Sequence, residues 1–84
     1  MYYVYVIQNI DDKSDFYLGQ TSNIEKRLNQ HNTGQNKSTK NKNWKLVYYE
    51  AYLTLSSARK REYCLKHAGR VKKFLLARIK EDLE

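Results

Sequence analysis

Apolar and aromatic residues are concentrated in three short runs that predict β-strands. The first run, residues 2–10, is rich in β-branched and aromatic side chains and has no charge. This composition is typical of a central strand that is covered on both faces. A polar turn at residues 11–15 joins it to the second run, residues 16–21, so the two are expected to form a hairpin. The third run, residues 44–53, is mostly apolar in both alternating sets, and we expect both of its faces to be covered.

The segment after the second strand predicts a helix followed by a loop. Ser22 and Glu25 fit a capping box, in which the hydroxyl and the carboxylate each accept a hydrogen bond from a backbone N–H, so the helix is expected over residues 22–32. Residues 33–43 are rich in Asn and Lys and contain no apolar residue. Such a segment is typical of a mobile surface loop.

Two further helices are expected after the third strand. Thr54 is the predicted N-cap of a helix over residues 56–68, and Gly69 is predicted to end it as the residue after the C-cap. The last helix, over residues 70–82, has an apolar side, which is far more typical of a helix packed on a sheet than of one lying on a membrane. That side consists of Val71, Phe74, Leu75, Arg78, Ile79 and Leu83.

The order of these elements is strand, strand, helix, strand, helix, helix. It predicts an α/β (α+β) fold with a three-stranded, mainly antiparallel sheet flanked by helices. A chain of 84 residues has room for one small core, so we expect a single domain over residues 1–84. No run approaches the length of a membrane span, and no signal peptide is evident.

Charge and cysteine content narrow the function classes. The net charge is +7, of which +2 lies in residues 1–43 and +5 in residues 44–84. Such an excess is typical of a protein that binds a polyanion, nucleic acid first and an anionic membrane second, although it can also serve solubility alone.

The one cysteine, Cys64, excludes an internal disulfide and fits a reducing, cytoplasmic location. With His31 and His67 far apart in sequence, a structural zinc site is not expected.

The residues with reactive side chains are concentrated between residues 16 and 31. Tyr17 lies on the second strand, whereas Arg27 and His31 are four residues apart and share one face of the predicted helix. Gly19 has no Cβ, so another group, such as a phosphate, can approach its backbone closely. A phenol, a guanidinium and an imidazole together suit phosphate chemistry. Each also has a structural alternative, since strand tyrosines usually pack and helical Arg and His usually face solvent.

Two residues outside that run complete a possible site for phosphodiester cleavage. Tyr5 lies on the first strand, on the same face as Tyr3, and Glu62 is a carboxylate at an otherwise basic helix start. Arg27 could bind two phosphate oxygens, Glu62 could hold one Mg²⁺, and a tyrosine could act as base if nearby cations lower its pKa. A surface ion pair is the structural alternative for Glu62.

Seven basic residues are candidates for phosphate contacts. Three lie in the polar segment at residues 33–43, where a solvated linker without a role is an equally good interpretation. The others lie on the last two predicted helices. The full set is Lys37, Lys40, Lys42, Arg59, Lys60, Lys72 and Lys73.

The combined pattern resembles the GIY-YIG nuclease superfamily. Residues 3–5 (Tyr-Val-Tyr), 17–19 (Tyr-Leu-Gly) and 27–31 (Arg-Leu-Asn-Gln-His) carry the resemblance, together with a later acidic residue on a helix. It spans residues 2–68 and is strongest to the small, stand-alone bacterial members. The chain departs from the motif at Tyr3 and Leu18, which replace its first glycine and second isoleucine, and it has no asparagine after Asn43.

The resemblance implies a phosphodiesterase that depends on one Mg²⁺ or Mn²⁺ ion. Tyr5 and Tyr17 match the two motif tyrosines, and Tyr17 is the preferred candidate for activating water. Arg27 matches the arginine that stabilises the transition state, and His31 matches a position used for proton transfer or tyrosine orientation. Glu62 matches the single metal ligand.

Three functions are compatible with these observations. The leading hypothesis is an endonuclease that acts on nucleic acid, DNA in preference to RNA, and not on a membrane. The second is a non-catalytic nucleic-acid-binding protein that retains the same fold. The third is a protein that docks a partner chain through its last helix.

Overall fold

The computed structural model describes all 84 residues and contains one three-stranded antiparallel sheet. Its strands are β1 (Tyr2–Asn9), β2 (Phe16–Thr21) and β3 (Trp44–Tyr52), and β1 lies in the middle. The helices are α1 (Ile24–Asn32), α2 (Leu55–His67) and α3 (Gly69–Leu83), with a short 3₁₀ turn at Lys37–Thr39. The predicted fold class and order of elements are confirmed. None of the helices combines the length and apolarity needed to cross a membrane.

The sheet has two different faces because side chains alternate along β1. Val4 and Val6 lie on one face and pack with residues of α2 and α3, such as Leu65. Tyr5 and Ile7 lie on the other, which we call the α1 face, and pack with Trp44, Tyr17, Leu28 and Leu46. Residues 4–9 of β1 are all buried, which confirms the predicted central strand. The α1 face carries the candidate site.

A β-bulge changes which residues of β3 share a face. Val6 pairs with Tyr48 and the next residue, Ile7, pairs with Leu46, so Val47 has no partner of its own. Val47 and Tyr48 therefore both adjoin the core beneath α2 and α3. The regular alternation of faces expected along the third strand is therefore wrong after Val47. The extra residue in β3 reverses the face on which each following side chain lies.

The expected coverage of both faces of β3 is also wrong. Lys45, Tyr49 and Ala51 are exposed, and the side chain of Tyr49 is 55% exposed. Helix α1 has only nine residues, about 14 Å at 1.5 Å per residue, which is too short to cover this edge strand. On α3, likewise, Phe74 and Leu83 of the predicted apolar side are exposed, whereas Leu75 and Ile79 are buried.

The N-cap of helix α1 lies one residue later than predicted. Asn23 is the N-cap, and its Oδ1 accepts a hydrogen bond from the Lys26 N–H at 3.1 Å. Thr21 fixes Asn23 in an extended conformation, because its Oγ1 accepts from the Asn23 N–H at 3.1 Å. The predicted capping box of Ser22 and Glu25 is therefore wrong, since the third helical position is Lys26, which has no carboxylate.

The junction of α2 and α3 differs from the predicted stop at Gly69. Thr54 caps α2 as expected, with its Oγ1 accepting from the Ser57 N–H at 3.2 Å. Ala68 ends α2 and directly precedes α3, of which Gly69 is the first residue. Gly69 does not have a positive φ, so it is not the left-handed residue of a helix C-terminus.

The segment between α1 and β3 lies mostly at the surface, as predicted, but one buried residue anchors it to the core. Asn36 caps the 3₁₀ turn, and Thr39 is completely buried. The indole Nε1–H of Trp44 donates to the Thr39 carbonyl at 3.1 Å. Lys42 forms an ion pair with Asp15 at 2.9 Å.

Candidate active site

The phenol of Tyr5 is the centre of the α1 face. Tyr5 is 1% exposed, and its strand partner on β2 is Gly19. A Cβ on Gly19 would lie 2.5 Å from the Tyr5 Oη and 2.7 Å from its Cζ. Gly19 is itself buried, so the group that approaches its backbone is the Tyr5 ring. The close approach is as the sequence predicted, but the Tyr5 ring fills the space in which a contact with nucleic acid was expected.

His31 links Tyr5 to the 3₁₀ turn. Its Nε2 lies 2.7 Å from the Tyr5 Oη, and its Nδ1 lies 2.8 Å from the Thr39 Oγ1. The Thr39 hydroxyl donates to the Asn36 carbonyl at 3.4 Å, so its oxygen accepts from the His31 Nδ1–H. His31 Nε2 is then the acceptor for the Tyr5 O–H. The two ring nitrogens therefore have fixed and opposite roles.

Arg27 approaches Tyr5 from the same helix. Arg27 and His31 are one turn of α1 apart. The Nε of Arg27 donates to the Tyr5 Oη at 3.3 Å. Its Nη1 donates to the Gln30 Oε1 at 3.2 Å. These two bonds orient the guanidinium beside a polar cleft of about 440 Å³. The cleft is lined by Gln20, Thr21, Ser22, Asn23, Lys26, Arg27 and Gln30.

Burial sets the protonation of the Tyr5–His31 pair. It raises the pKa of Tyr5 to about 12, although the hydrogen bond and charge of Arg27 act in the opposite direction. Burial, and then the charge of Arg27, lowers the pKa of His31 to about 4. Near neutral pH Tyr5 is therefore a neutral donor and His31 a neutral acceptor, in agreement with the hydrogen-bond directions.

Tyr17 and Glu62 complete the group through a lysine that the sequence analysis did not select. The ring centroid of Tyr17 lies 4.9 Å from that of His31. Lys66 Nζ lies 5.9 Å from the Tyr17 ring centroid and 3.3 Å from the Glu62 Oε2. The five predicted residues and Lys66 thus form one series of contacts. Its order is Arg27, Tyr5, His31, Tyr17, Lys66 and Glu62.

Glu62 fits a magnesium ion better than it fits a closed metal site. No group of three or more His, Cys, Asp or Glu side chains in the structure could hold a metal ion. Glu62 offers one carboxylate, with the side chain 26% exposed, and its present partner is Lys66. Mg²⁺ keeps several waters and is commonly bound by one or two carboxylates together with substrate phosphates. The single carboxylate of Glu62 therefore fits an ion that takes most of its ligands from water and substrate.

The predicted phosphate-contacting residues are spread over the surface. Lys37 and Lys40 are exposed on the segment that carries Thr39, Arg59 and Lys60 are exposed on α2, and Lys73 is exposed on α3. Neither they nor the half-buried Lys72 shares a hydrogen bond, ion pair or cation–π contact with any residue in the series from Arg27 to Glu62. Lys42 is engaged elsewhere, with Asp15 and with the ring of Trp44 at 5.7 Å.

A second polar network on the opposite face of the sheet has a structural role that the sequence analysis missed. Glu50 accepts from the Nε and Nη2 of Arg61 at 2.9 and 3.0 Å, and from the hydroxyls of Tyr48 and Tyr52. Burial alone would raise the pKa of the Glu50 carboxyl, but these donors lower it overall. The pattern Tyr-x-Glu-x-Tyr was the available signal, because alternate strand residues share a face. Thr39, by contrast, had no signal beyond the Asn-x-Ser turn motif before it.

Comparison with known proteins identifies one family. The family model described as the GIY-YIG catalytic domain matches residues 1–74. A UPF0213 protein of Staphylococcus saprophyticus is 42% identical over 77 residues, which are 89% of this chain and 92% of the relative. The UPF0213 protein of Syntrophus aciditrophicus is 42% identical over 85 residues, with 98% and 93% covered. That of Haloquadratum walsbyi is 34% identical over 84 residues, with 98% and 92% covered. These names specify no activity, and no solved structure matches the chain.

Proposed function

Because the chain belongs to the GIY-YIG family, whose function is of the nuclease type, we propose that it is an endonuclease that hydrolyses phosphodiester bonds of DNA in preference to RNA. One observation carries the proposal. Side chains from β1, β2 and α1 converge on the Tyr5–His31 pair, and Lys66 connects this pair to Glu62 on α2. Packing of the core alone does not require a phenol, an imidazole, a guanidinium and a carboxylate in one series of contacts.

Arg27 is suited to binding the scissile phosphate. Its Nε and Nη1 are held by Tyr5 and Gln30, so the planar guanidinium is oriented before a substrate arrives. Its remaining N–H donors match two phosphate oxygens and the charge that develops on them in the transition state. Lys26 lines the same cleft and adds a second positive charge.

Tyr17 is the better candidate for the base, and Tyr5 for a positioning residue. Tyr5 is buried, its O–H is donated to His31, and burial raises its pKa to about 12. Tyr17 is partly exposed on the same face, and its hydroxyl makes no hydrogen bond within the protein. The Lys66 Nζ lies 5.9 Å from the centroid of its ring. In this scheme the Tyr17 phenolate takes a proton from the attacking water.

Glu62 would hold one Mg²⁺ or Mn²⁺ ion after it separates from Lys66. When bound, such an ion supplies positive charge at the phosphate and lowers the pKa of its own water. The Glu62–Lys66 pair joins residues one helical turn apart at a partly exposed position, so separating the two costs about 1 kcal/mol or less.

The test is cleavage of a panel of purified substrates: supercoiled, nicked, flapped and duplex DNA, and RNA. We expect cleavage of DNA with Mg²⁺ or Mn²⁺ and none with EDTA. Tyr17→Phe, Arg27→Ala and Glu62→Ala are expected to reduce the rate at least about 100-fold while the proteins remain folded. Glu81→Ala, which removes an exposed carboxylate of α3, is the matched control and keeps the rate. Failure to cleave any substrate would contradict the proposal.

The second candidate is a nucleic-acid-binding protein without turnover. It is favoured by the ion pair that engages Glu62, the only carboxylate in the group, and by the net charge of +7. This candidate predicts salt-dependent binding that Glu62→Ala leaves intact or strengthens, because the change removes a negative charge. Metal-dependent cleavage by the wild type excludes it.

A further inference from the structure

An exposed pair of stacked rings on α2 lies outside both core clusters. The rings of Tyr63 and His67 are 3.9 Å apart between centroids and 18° from parallel. The side chain of Tyr63 is 65% exposed, and neither residue belongs to either core cluster. The His67 Nδ1–H donates to the Tyr63 carbonyl at 2.9 Å and fixes the orientation of the imidazole. The pair is therefore a pre-ordered aromatic surface.

Basic side chains flank this pair along the helix. Arg59 and Lys60 precede Tyr63 by four and three residues, and Lys66 follows it by three, so all are its neighbours on the surface of α2. Lys66 also contacts Tyr17 and Glu62. The aromatic pair consequently lies within about one helical turn of Glu62 and Lys66, on a helix whose only carboxylate is Glu62.

We propose that Tyr63 and His67 form a stacking platform for an unpaired base of a single-stranded DNA segment next to the bond that is cleaved. The inference rests on the proposed function and specifies its substrate class as DNA with single-stranded character, such as an overhang or a flap. Arg59, Lys60 and Lys66 bind the phosphates on either side of the stacked base.

The arrangement favours a single strand over a duplex because of base accessibility. Bases within a duplex are stacked on each other and offer only their edges, whereas an unpaired base offers its whole face to an aromatic ring. Aromatic rings interleaved with cationic side chains are the usual means of binding single strands without sequence preference. Because His67 and Tyr63 are already held parallel, little additional ordering is needed on binding.

Fluorescence anisotropy with labelled oligothymidylate of about 12 nucleotides, within the site sizes of single-strand-binding domains, tests the proposal. A duplex of equal length is the second probe, and EDTA prevents cleavage of either. We expect Tyr63→Ala to weaken single-strand binding about tenfold and to change duplex binding less than about twofold. Tyr63→Phe keeps the ring and is expected to bind like the wild type, whereas Tyr63→Leu is expected to bind like Tyr63→Ala.

Two controls separate stacking from other effects. Tyr49→Ala removes a tyrosine of similar exposure (55%) from β3, outside the basic surface of α2, and is expected to bind like the wild type. Arg59→Ala is expected to reduce the slope of log K against log salt by about 0.7, one phosphate contact, whereas Tyr63→Ala leaves that slope unchanged.

The platform is refuted if Tyr63→Ala binds the single strand as well as the wild type does, if Tyr63→Leu matches Tyr63→Phe, or if both probes lose affinity equally. These results are distinguishable from failure of the proposed activity. A protein that stacks single strands but never cleaves them would contradict the enzyme and support the platform. A protein that cleaves DNA, but whose single-strand binding is unaffected by Tyr63→Ala, would support the enzyme and contradict the platform. A protein that binds neither probe would contradict both the enzyme and the platform.

Discussion

Substitution of Gly19 by alanine probes the packing that orients the whole candidate site. The new Cβ would lie 2.5, 2.7 and 3.0 Å from the Oη, Cζ and Cε1 of Tyr5, which are atoms of one rigid ring. Tyr5 is 1% exposed, so the ring has no free space into which it can move. Any displacement also lengthens its hydrogen bonds with His31 and Arg27.

The cost can be estimated from these contacts. Overpacking of a core costs about 1–3 kcal/mol, and each of the two hydrogen bonds contributes about 1 kcal/mol. Replacement of glycine stabilises by about 0.4–1 kcal/mol, because it restricts the unfolded chain. We therefore expect Gly19→Ala to reduce the free energy of unfolding by about 2–4 kcal/mol. For a domain of this size, that lowers Tm by roughly 8–32 °C.

Urea denaturation followed by fluorescence measures this change directly, because Trp44 is the only tryptophan and is 3% exposed. Gly69→Ala is the matched control, since a Cβ there meets no atom within 4 Å, and it is expected to be neutral or up to about 1 kcal/mol stabilising. Tyr5→Phe in the Gly19→Ala protein removes the nearest clashing atom, so the double mutant is expected to lose less than the sum of the single changes. A Gly19→Ala protein within about 0.5 kcal/mol of the wild type would refute the reasoning.

Three further predictions concern the buried polar groups. Thr39→Val leaves the buried Nδ1–H of His31 without an acceptor and is expected to cost about 1–3 kcal/mol in urea denaturation, most of which Thr39→Ser restores. The pKa of His31 is about 4 in the folded protein against an ordinary 6.5, so the unfolded chain binds more protons between these values. The contribution of His31 to the free energy of unfolding is therefore fully present above about pH 6.5. It falls by up to about 3 kcal/mol as the pH drops to about 4, and His31→Gln is expected to remove this fall. Glu50→Gln leaves Arg61 without a counter-charge and is expected to cost about 2 kcal/mol, less than for a fully buried pair because Arg61 is partly exposed; no loss in thermal denaturation would contradict this.

Most of the fold could be predicted from the sequence because its signals are local. The uncharged run of β1 and the spacing of apolar residues in α2 and α3 depend on neighbours in the chain. The β-bulge at Val47 and the cap at Asn23 could not be predicted, because they depend on the partner strand and on the Thr21 side chain. The wrong assignment of Gly69 has the same origin: two helices meet there with no left-handed residue.

The members of the candidate site were selected by their chemistry and joined by the family resemblance, whereas their arrangement required the structure. Only the fold shows that Gly19 accommodates Tyr5 and that the Tyr5 hydroxyl is donated to His31. Thr39 lies in a polar stretch without apolar residues, so its burial follows from contacts with His31 and Trp44 that are distant from any local pattern. Lys66 likewise became visible only through its contacts with Tyr17 and Glu62.

The most direct test of the proposed site compares Glu62→Gln with the wild type under single-turnover conditions, on flapped DNA with Mg²⁺. The substitution keeps the shape of the side chain and removes the charge that would hold the ion. We expect the wild type to cleave the DNA and the variant to cleave it at least about 100-fold more slowly, with equal folding of both proteins by circular dichroism. Equal cleavage rates for the two proteins would contradict a metal-dependent site built on Glu62.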